Sequence, residues 1–249
     1  KYQPKGERMK VAIMQPYFLP YIGYFQLIAA ADVFIIYDNI KYTKKGWINR
    51  NRMLVNSTDA IFSLPLKKDS DTLDVVSREL SKDFDRKKLL NQFRGAYASA
   101  PYFPDVFPLL ERIVQCNESN LFRYIYNSVV EMCLLLGIKT EIRISSNITI
   151  DHTLKGQEKV LALCRATGAS CYINAIGGTE LYSNKEFNKY NINLKFLKSK
   201  INEYHQYGAE FTPNLSIIDN LMFNPMGKIK KTIKTDYILI NKLNTSINS

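Results

Sequence analysis

Apolar and polar positions come in blocks along this chain, and the blocks read as strands and helices in turn. Lys10-Val11-Ala12-Ile13-Met14 is a short apolar run, the pattern of a buried strand. Gln15 and Pro16 end it. Residues 23–31 then carry Tyr24, Phe25, Leu27 and Ile28 on one helical face. Val33-Phe34-Ile35-Ile36-Tyr37 is a second apolar run. Strand, loop, helix and strand make a βαβ unit, which implies a parallel pair with a right-handed crossover. From Asp38 to Arg52 the pattern breaks into a polar, basic stretch, DNIKYTKKGWINRNR. A further strand is expected at 60–66, and 67–72 is a charged loop.

A helical block follows, with helices expected at 87–99, 105–116 and 120–136. In the last, Leu121, Ile125, Val129, Met132 and Leu136 recur at helical spacing, Ser119 or Asn120 stands at the N-cap, and Gly137 follows the end. Residues 139–144 return to strand character. Residues 156–167 form an amphipathic pattern closed by Gly168. Cys171-Tyr172-Ile173 is a buried strand ending at Asn174, and 192–197 is another. A short helix at 216–223 and a basic helical tail after Gly227 complete the pattern. Strand and helix alternate on both sides of the helical block. The expected class is therefore α/β, with a mostly parallel Rossmann-like sheet and a helical insertion. Residues 9–249 read as one domain with 80–137 as a helical subdomain, and 1–8 as a tag or an extension.

Composition changes this picture little. The 249 residues are 46% hydrophobic, enough for a sizeable core and too apolar for disorder. Charge changes it more. A net charge of +11 suits a nucleic acid, an acidic protein or a small polyanion such as a nucleotide-sugar. The basic residues are spread out, with short clusters at Lys67-Lys68, Lys87-Lys88 and 228–231. No zinc finger, basic zipper or basic–aromatic RNA motif accompanies them, so nucleic-acid binding is the lesser reading. Cys116, Cys133, Cys164 and Cys171 form no C-x-x-C pair, which argues against a zinc site. No metal site is expected. Reduced thiols, the lack of a signal-peptide pattern and the lack of a bilayer-length apolar run point to a cytoplasmic protein without membrane insertion.

Ligands in open α/β sheets bind beyond the carboxyl ends of the strands. That rule nominates three places. After the first strand come Gln15, Tyr17, Gly23 and Tyr24, where an amide stands at a strand end and a glycine permits close backbone approach by an anion. After the second come Asp38, Lys45, Trp47, Asn49 and Arg50. Here an acid follows a strand, cations can neutralise phosphate, and the only tryptophan sits in a polar loop where it can stack on a base or sugar. After a later strand come Asn174, Gly177, Gly178 and Tyr182, whose paired glycines expose backbone N–H groups. His152 and His205 are isolated, with no nucleophile placed for a triad.

Four segments together resemble the WbqC-like family of bacterial proteins: QPYFLPYIGYFQLI, ADVFIIYDNIKYTKKGWINRNRM, GASCYINAIGGTELY and EYHQYGAEFTPNLSIIDNLMFN. They span most of the chain. The resemblance implies a setting in O-antigen and other surface-polysaccharide assembly, with modification of a nucleotide-linked amino sugar. Glycyl transfer to the sugar amine is one such modification. A more distant similarity is to nucleotidylyltransferase-like folds, whose H-x-G-H signature would fall on Tyr21-Ile22-Gly23-Tyr24. Both signature histidines are tyrosines here, which disfavours ATP as a cofactor. No other cofactor is implied.

The expected function is thus acyl or aminoacyl transfer onto a nucleotide-linked amino sugar, dTDP-linked by preference. The basic surface suits an acidic carrier protein or an aminoacyl-tRNA as donor. Asp38 is the expected general base, with Lys45 and Arg50 on pyrophosphate. Gln15, Asn174 and the Gly177-Gly178 backbone would orient the acyl group, and Asp219 and Asn224 would close the site. The rivals are a non-catalytic nucleotide-sugar-binding module and a tRNA- or RNA-binding protein, the latter marked by steep salt dependence.

Overall fold

The computed structural model describes residues 9–208 and 210–241. The opening stretch 1–8, read as a tag or extension, lies outside them. The described chain begins with β1 (Lys10–Met14), α1 (Ile22–Ala30) and β2 (Val33–Ile36), and β1 and β2 pair in parallel. All four β2 residues are buried, which is why this strand shows an unbroken apolar run instead of an alternation.

The polar stretch then leads into a hairpin of β3 (Arg50–Val55) and β4 (Thr58–Ser63), antiparallel and separate from the main sheet. Asn56 and Ser57 turn it with φ of 49° and 60°. Two positive φ values in a two-residue loop match the twist of the flanking strands. This turn pulls both strands toward itself. The end of the 38–52 stretch is therefore strand, and β4 begins and ends before the expected 60–66.

Helices α2 (Arg86–Tyr97), α3 (Phe103–Val114) and α4 (Leu121–Leu136) follow. Asn120 caps α4 by accepting the Arg123 N–H at 3.0 Å, and Gly137 ends it at φ 68°. Next come β5 (Glu141–Ile144), α5 (Gly156–Ala166), β6 (Cys171–Ala175), α6 (Asn184–Asn188) and β7 (Asn193–Ser199). The chain continues through α7 (Ile217–Phe223), α8 (Met226–Thr235) and β8 (Tyr237–Asn241). The basic tail is helical only as far as Thr235. Tyr237-Ile238-Leu239-Ile240 has strand character and pairs antiparallel with β7.

The six-stranded sheet has the order β5-β2-β1-β6-β7-β8, with all but the last pair parallel. Alternate strand residues face opposite layers. Ala12, Phe34, Ile36 and Ile173 face one core with α1 to α4, the hairpin, α7 and α8. Val11, Ile13, Ile35 and Tyr172 face the other, with Leu163 of α5 and Phe187 of α6. The result is a Rossmann-like α/β/α sandwich. From β1 the chain runs on to β2 on one side. From β6 it runs on to β7 on the other. The two connections leave in opposite directions at the β1–β6 pair, and a crevice opens there beyond the strand ends. No helix among the described residues is long and apolar enough to cross a membrane.

Candidate functional site

The crevice is a cleft of about 1590 Å³. Gln15, Tyr17 and Tyr21 enter it beyond β1, Tyr37 and Asn39 beyond β2, and Asn174, Gly177, Gly178 and Tyr182 beyond β6. Trp47 reaches it from the polar loop and stays 41% exposed. The remaining walls are the start of α5, with Lys155, Gly156, Gln157 and Lys159, and the loop that carries Thr72 and Asp74. The three strand ends of the sequence-based expectation therefore do converge, and two further segments complete the cleft.

Each wall is held from behind. The buried Tyr24 hydroxyl donates to the Gln15 carbonyl at 2.9 Å, fixing the end of β1. Asn174 Oδ1 accepts the Ala175 N–H at 2.7 Å. A Cβ on Gly178 would stand 2.5 Å from Asn174 Nδ2, so this glycine lets the amide lie flat against the backbone. Gly177 has open space around it. His152 Nδ1 meets Asn39 Nδ2 at 2.9 Å and its Nε2 meets the Ile148 carbonyl at 3.0 Å. A neutral ring protonated on Nε2 satisfies both partners. This histidine ties the loop before α5 to the end of β2.

Lys159 is the cation most enclosed by the cleft, 5% exposed. Its Nζ donates to the Asn39 carbonyl at 3.2 Å and lies 5.1 Å from the centre of the Tyr37 ring. Burial pushes its pKa down, and the negative charges of Asp74 and Asp38 oppose that only in part. Tyr37, desolvated beside the same carboxylates, is pushed up to about 12 and stays protonated. The first turn of α5 has no side-chain cap at Lys155, and Gly156 enters it at φ 52°. Lys155, Gly156 and Gln157 line the cleft, so the positive end of the helix dipole borders it, with Glu158 in the same turn offsetting part of that charge.

Several expected site residues have other positions. Asp38 lies under the cleft, 1% exposed. Its carboxylate accepts from Ser145 Oγ at 2.7 Å, Ser146 N at 2.9 Å and Ser146 Oγ at 2.6 Å. These bonds lock the end of β2 to the turn after β5, and the buried carboxylate does not line the cleft. Lys45 is exposed to solvent and does not line the cleft. Asn49 accepts from Tyr42 Oη and donates to the Leu64 carbonyl, both at 2.8 Å. Arg50 binds the Gly46 carbonyl at 2.9 Å and the Lys45 carbonyl at 2.6 Å, and stacks 5.3 Å from the Trp47 ring. Asn49 and Arg50 thus shape the loop that carries Trp47. A Cβ on Gly23 would strike the Tyr21 ring and stand 2.8 Å from Ser199 Oγ, so packing explains this glycine.

Asp219 is buried away from the cleft, joining α7 to Tyr97 (3.1 Å), Tyr204 (2.7 Å) and Gln206 (2.6 Å). Burial pushes its carboxyl up, against the downward pull of those three donors. Asn224 ends α7 and donates to the Asn220 carbonyl at 3.1 Å. Neither residue lines the cleft.

The match to known sequences follows these walls. The model of WbqC-like proteins aligns with residues 15–231. The chain belongs to the WbqC-like protein family. The family match starts at Gln15, the first polar residue of the cleft, and takes in the polar loop, the start of α5 and the turn after β6. Among curated proteins, uncharacterized protein Rv1507c of Mycobacterium tuberculosis is 28% identical over 221 residues, which cover 86% of this chain and 93% of that protein. The WbqC-like cleft also contains residues that sequence reasoning passed over, among them Tyr37, Asn39, Asp74, Lys155, Gln157 and Lys159. One signal for Lys159 was available. It precedes Leu163 by one helical turn and sits beside Val160, so it is a charge on the apolar side of an amphipathic helix.

Proposed function

We propose that this WbqC-like protein forms an amide on a nucleotide-linked amino sugar, accepting an acyl or aminoacyl group from an activated carrier during surface-polysaccharide assembly. The observation that carries the reading is a buried lysine with a depressed pKa on the wall of a cleft large enough for a nucleotide-sugar. Such a substrate needs an anion site for its diphosphate, flat surfaces for its base and sugar, and an acceptor for the amine's proton. The uncapped start of α5 with Lys155 suits the first. Trp47, Tyr17 and Tyr182 suit the second. Lys159 suits the third, because its neutral amine is populated at lower pH than that of an ordinary lysine.

In the proposed step the sugar nitrogen attacks the donor carbonyl and a C–N bond forms. The amine proton passes to Lys159. The C–S or C–O bond to the carrier then breaks, and the departing thiol or hydroxyl takes up a proton. Asn174 Nδ2, which also hydrogen-bonds the Tyr182 hydroxyl, and the backbone N–H of the exposed Gly177 are donors for the carbonyl oxygen as it gains negative charge. Asp38 supports the floor in this reading, and the general-base role moves to Lys159. The acyl group arrives activated, so the reaction draws on no ATP. Of the two tyrosines at the signature-histidine positions, only Tyr21 lines the cleft.

The test is a coupled assay with a dTDP-linked 4-amino sugar and both donor classes, a carrier thioester and an aminoacyl-tRNA. Amide product is expected from one of them. Folded protein that yields no product with either would end this reading, and sugar-nucleotide binding without turnover would favour the binding-module alternative.

A further inference from the structure

Among the described residues the cleft is lined by three lysines, Lys41, Lys155 and Lys159, and by a single carboxylate, that of Asp74. A ligand that offered only a diphosphate would use the lysines and be repelled by the carboxylate. Asp74 therefore carries information about the other end of the ligand. Its place is fixed by backbone. Beyond β2 the chain pairs with the loop at 73–76. The Tyr42 N–H donates to the Leu73 carbonyl at 3.2 Å, the Val75 N–H to the Ile40 carbonyl at 2.9 Å and the Val76 N–H to the Asp38 carbonyl at 3.1 Å. Asp74 stands opposite Lys41 in this short ladder. Asn39, whose carbonyl accepts from Lys159 Nζ, belongs to the same stretch.

The side chain of Asp74 has no partner of its own among the described residues. It precedes the single helical turn at 75–77 without capping it. It belongs to none of the ion pairs, with Lys41 and Lys159 or with any other cation. Asp38, the other carboxylate nearby, bonds Ser145 and Ser146 and does not line the cleft. The negative charge of Asp74 nonetheless reaches Lys159 and Tyr37, and acts to raise the pKa of each. A half-buried carboxylate with free lone pairs in a cleft is a strong acceptor for an ammonium group. Resting on the reading of the cleft as an amino-sugar site, we propose that Asp74 binds the protonated amine of the sugar and holds it beside Lys159. The start of α5 and Lys155 take the diphosphate, Asp74 takes the ammonium, and the cleft selects a ligand that carries both charges. A hydroxyl at the same sugar carbon leaves the carboxylate without a charged partner.

Two dTDP-linked 6-deoxy sugars that differ only at C4, one with an amine and one with a hydroxyl, provide the probe, and dTDP alone is the reference. Calorimetry on the full chain in the presence of a chelator is expected to show the amino sugar binding at least about tenfold more tightly than the hydroxy sugar. Asp74→Asn keeps the shape and removes the charge. It is expected to shrink that preference to within about twofold, with the affinity for dTDP and the urea midpoint unchanged. The wild-type preference should also fade as pH rises past the pKa of the sugar amine, because the ligand then loses its charge. Equal affinity for the two sugars, or a preference that survives Asp74→Asn, would overturn the proposal, and amide product in the coupled assay would still leave the transfer reaction standing. A preference lost in Asp74→Asn with no amide from either donor would sustain the proposal and end the transfer reading. Binding of both sugars only with added magnesium would give Asp74 to a diphosphate-bound cation and overturn the proposal, and no binding of either sugar would overturn both readings.

Discussion

Two polar segments border the cleft, and they use their polar groups in opposite ways. In 38–52 the side chains bond to their own neighbourhood. Asp38 holds Ser145 and Ser146, Asn49 bridges Tyr42 and Leu64, and Arg50 binds the carbonyls of Lys45 and Gly46. What that segment offers to the cleft is chiefly Asn39, Lys41 and the Trp47 ring. In 152–160 His152 and Gln157 also hold neighbours, but the first turn of α5 has no side-chain cap and Lys159 makes one hydrogen bond, to Asn39. Satisfied groups build a scaffold. Groups with unused bonding capacity are the ones left to meet a ligand.

The comparison breaks most sharply at Lys159. Lys159→Met is expected to slow amide formation by about 10² to 10⁴-fold, the usual range for a general base, while stability holds or rises because a buried charge is gone. Paired rate and urea-unfolding measurements check this. A rate within a few-fold of wild type would remove Lys159 from the chemistry. The pH profile sharpens the point. Only the neutral amine accepts a proton, and burial lowers the pKa of Lys159. The rate should therefore rise with pH and level off below the ordinary lysine pKa of about 10.4.

Asp38→Ala should show the converse. Removing the carboxylate takes both bonds from Ser146 and one from Ser145, but Ser145 Oγ keeps Asn39 Oδ1 and Ser146 is open to solvent, so the expected cost is about 1–2 kcal/mol of stability, seen as a lower urea midpoint. The fraction of protein that remains folded should turn over at close to the normal rate. If stability held while the rate collapsed, the general-base role would return to Asp38.

Trp47→Ala tests what the first segment does contribute. Loss of one stacking surface should weaken nucleotide-sugar binding roughly tenfold, toward the low end for an aromatic stacked on a base. Trp47 is the only tryptophan, so its fluorescence reports ligand binding directly in the wild-type protein. Gly156→Ala is expected to have the smallest effect. A Cβ there meets nothing within 4 Å, so only the strain of φ 52° remains, about 1 kcal/mol. Calorimetric unfolding can resolve it.

Much of this architecture was legible in the chain. The apolar runs of β1, β2 and β6, the Asn120 and Gly137 caps of α4 and the βαβ order all follow from local pattern. The β3–β4 hairpin and β8 were not. The hairpin depends on a two-residue turn at Asn56-Ser57, which carries no glycine signal, and β8 directly follows a basic helix that hides it.

The sequence by itself determined that this is a mostly parallel α/β protein with polar residues at its strand ends, because strand burial and helix periodicity are written in neighbouring residues. Only the tertiary structure decided which of those polar residues face a ligand. Asp38 and Asp219 both look like candidate acids in one dimension, and each is consumed by hydrogen bonds to groups distant in the chain, Asp38 to a turn 107 residues away and Asp219 to Tyr97, 122 residues away. Lys159 looks like one more lysine on a helix until the crossover sets α5 against the end of β2. Hydrogen-bond capacity is a three-dimensional quantity, fixed when distant segments meet, so the partition between scaffold and site is settled only in the fold.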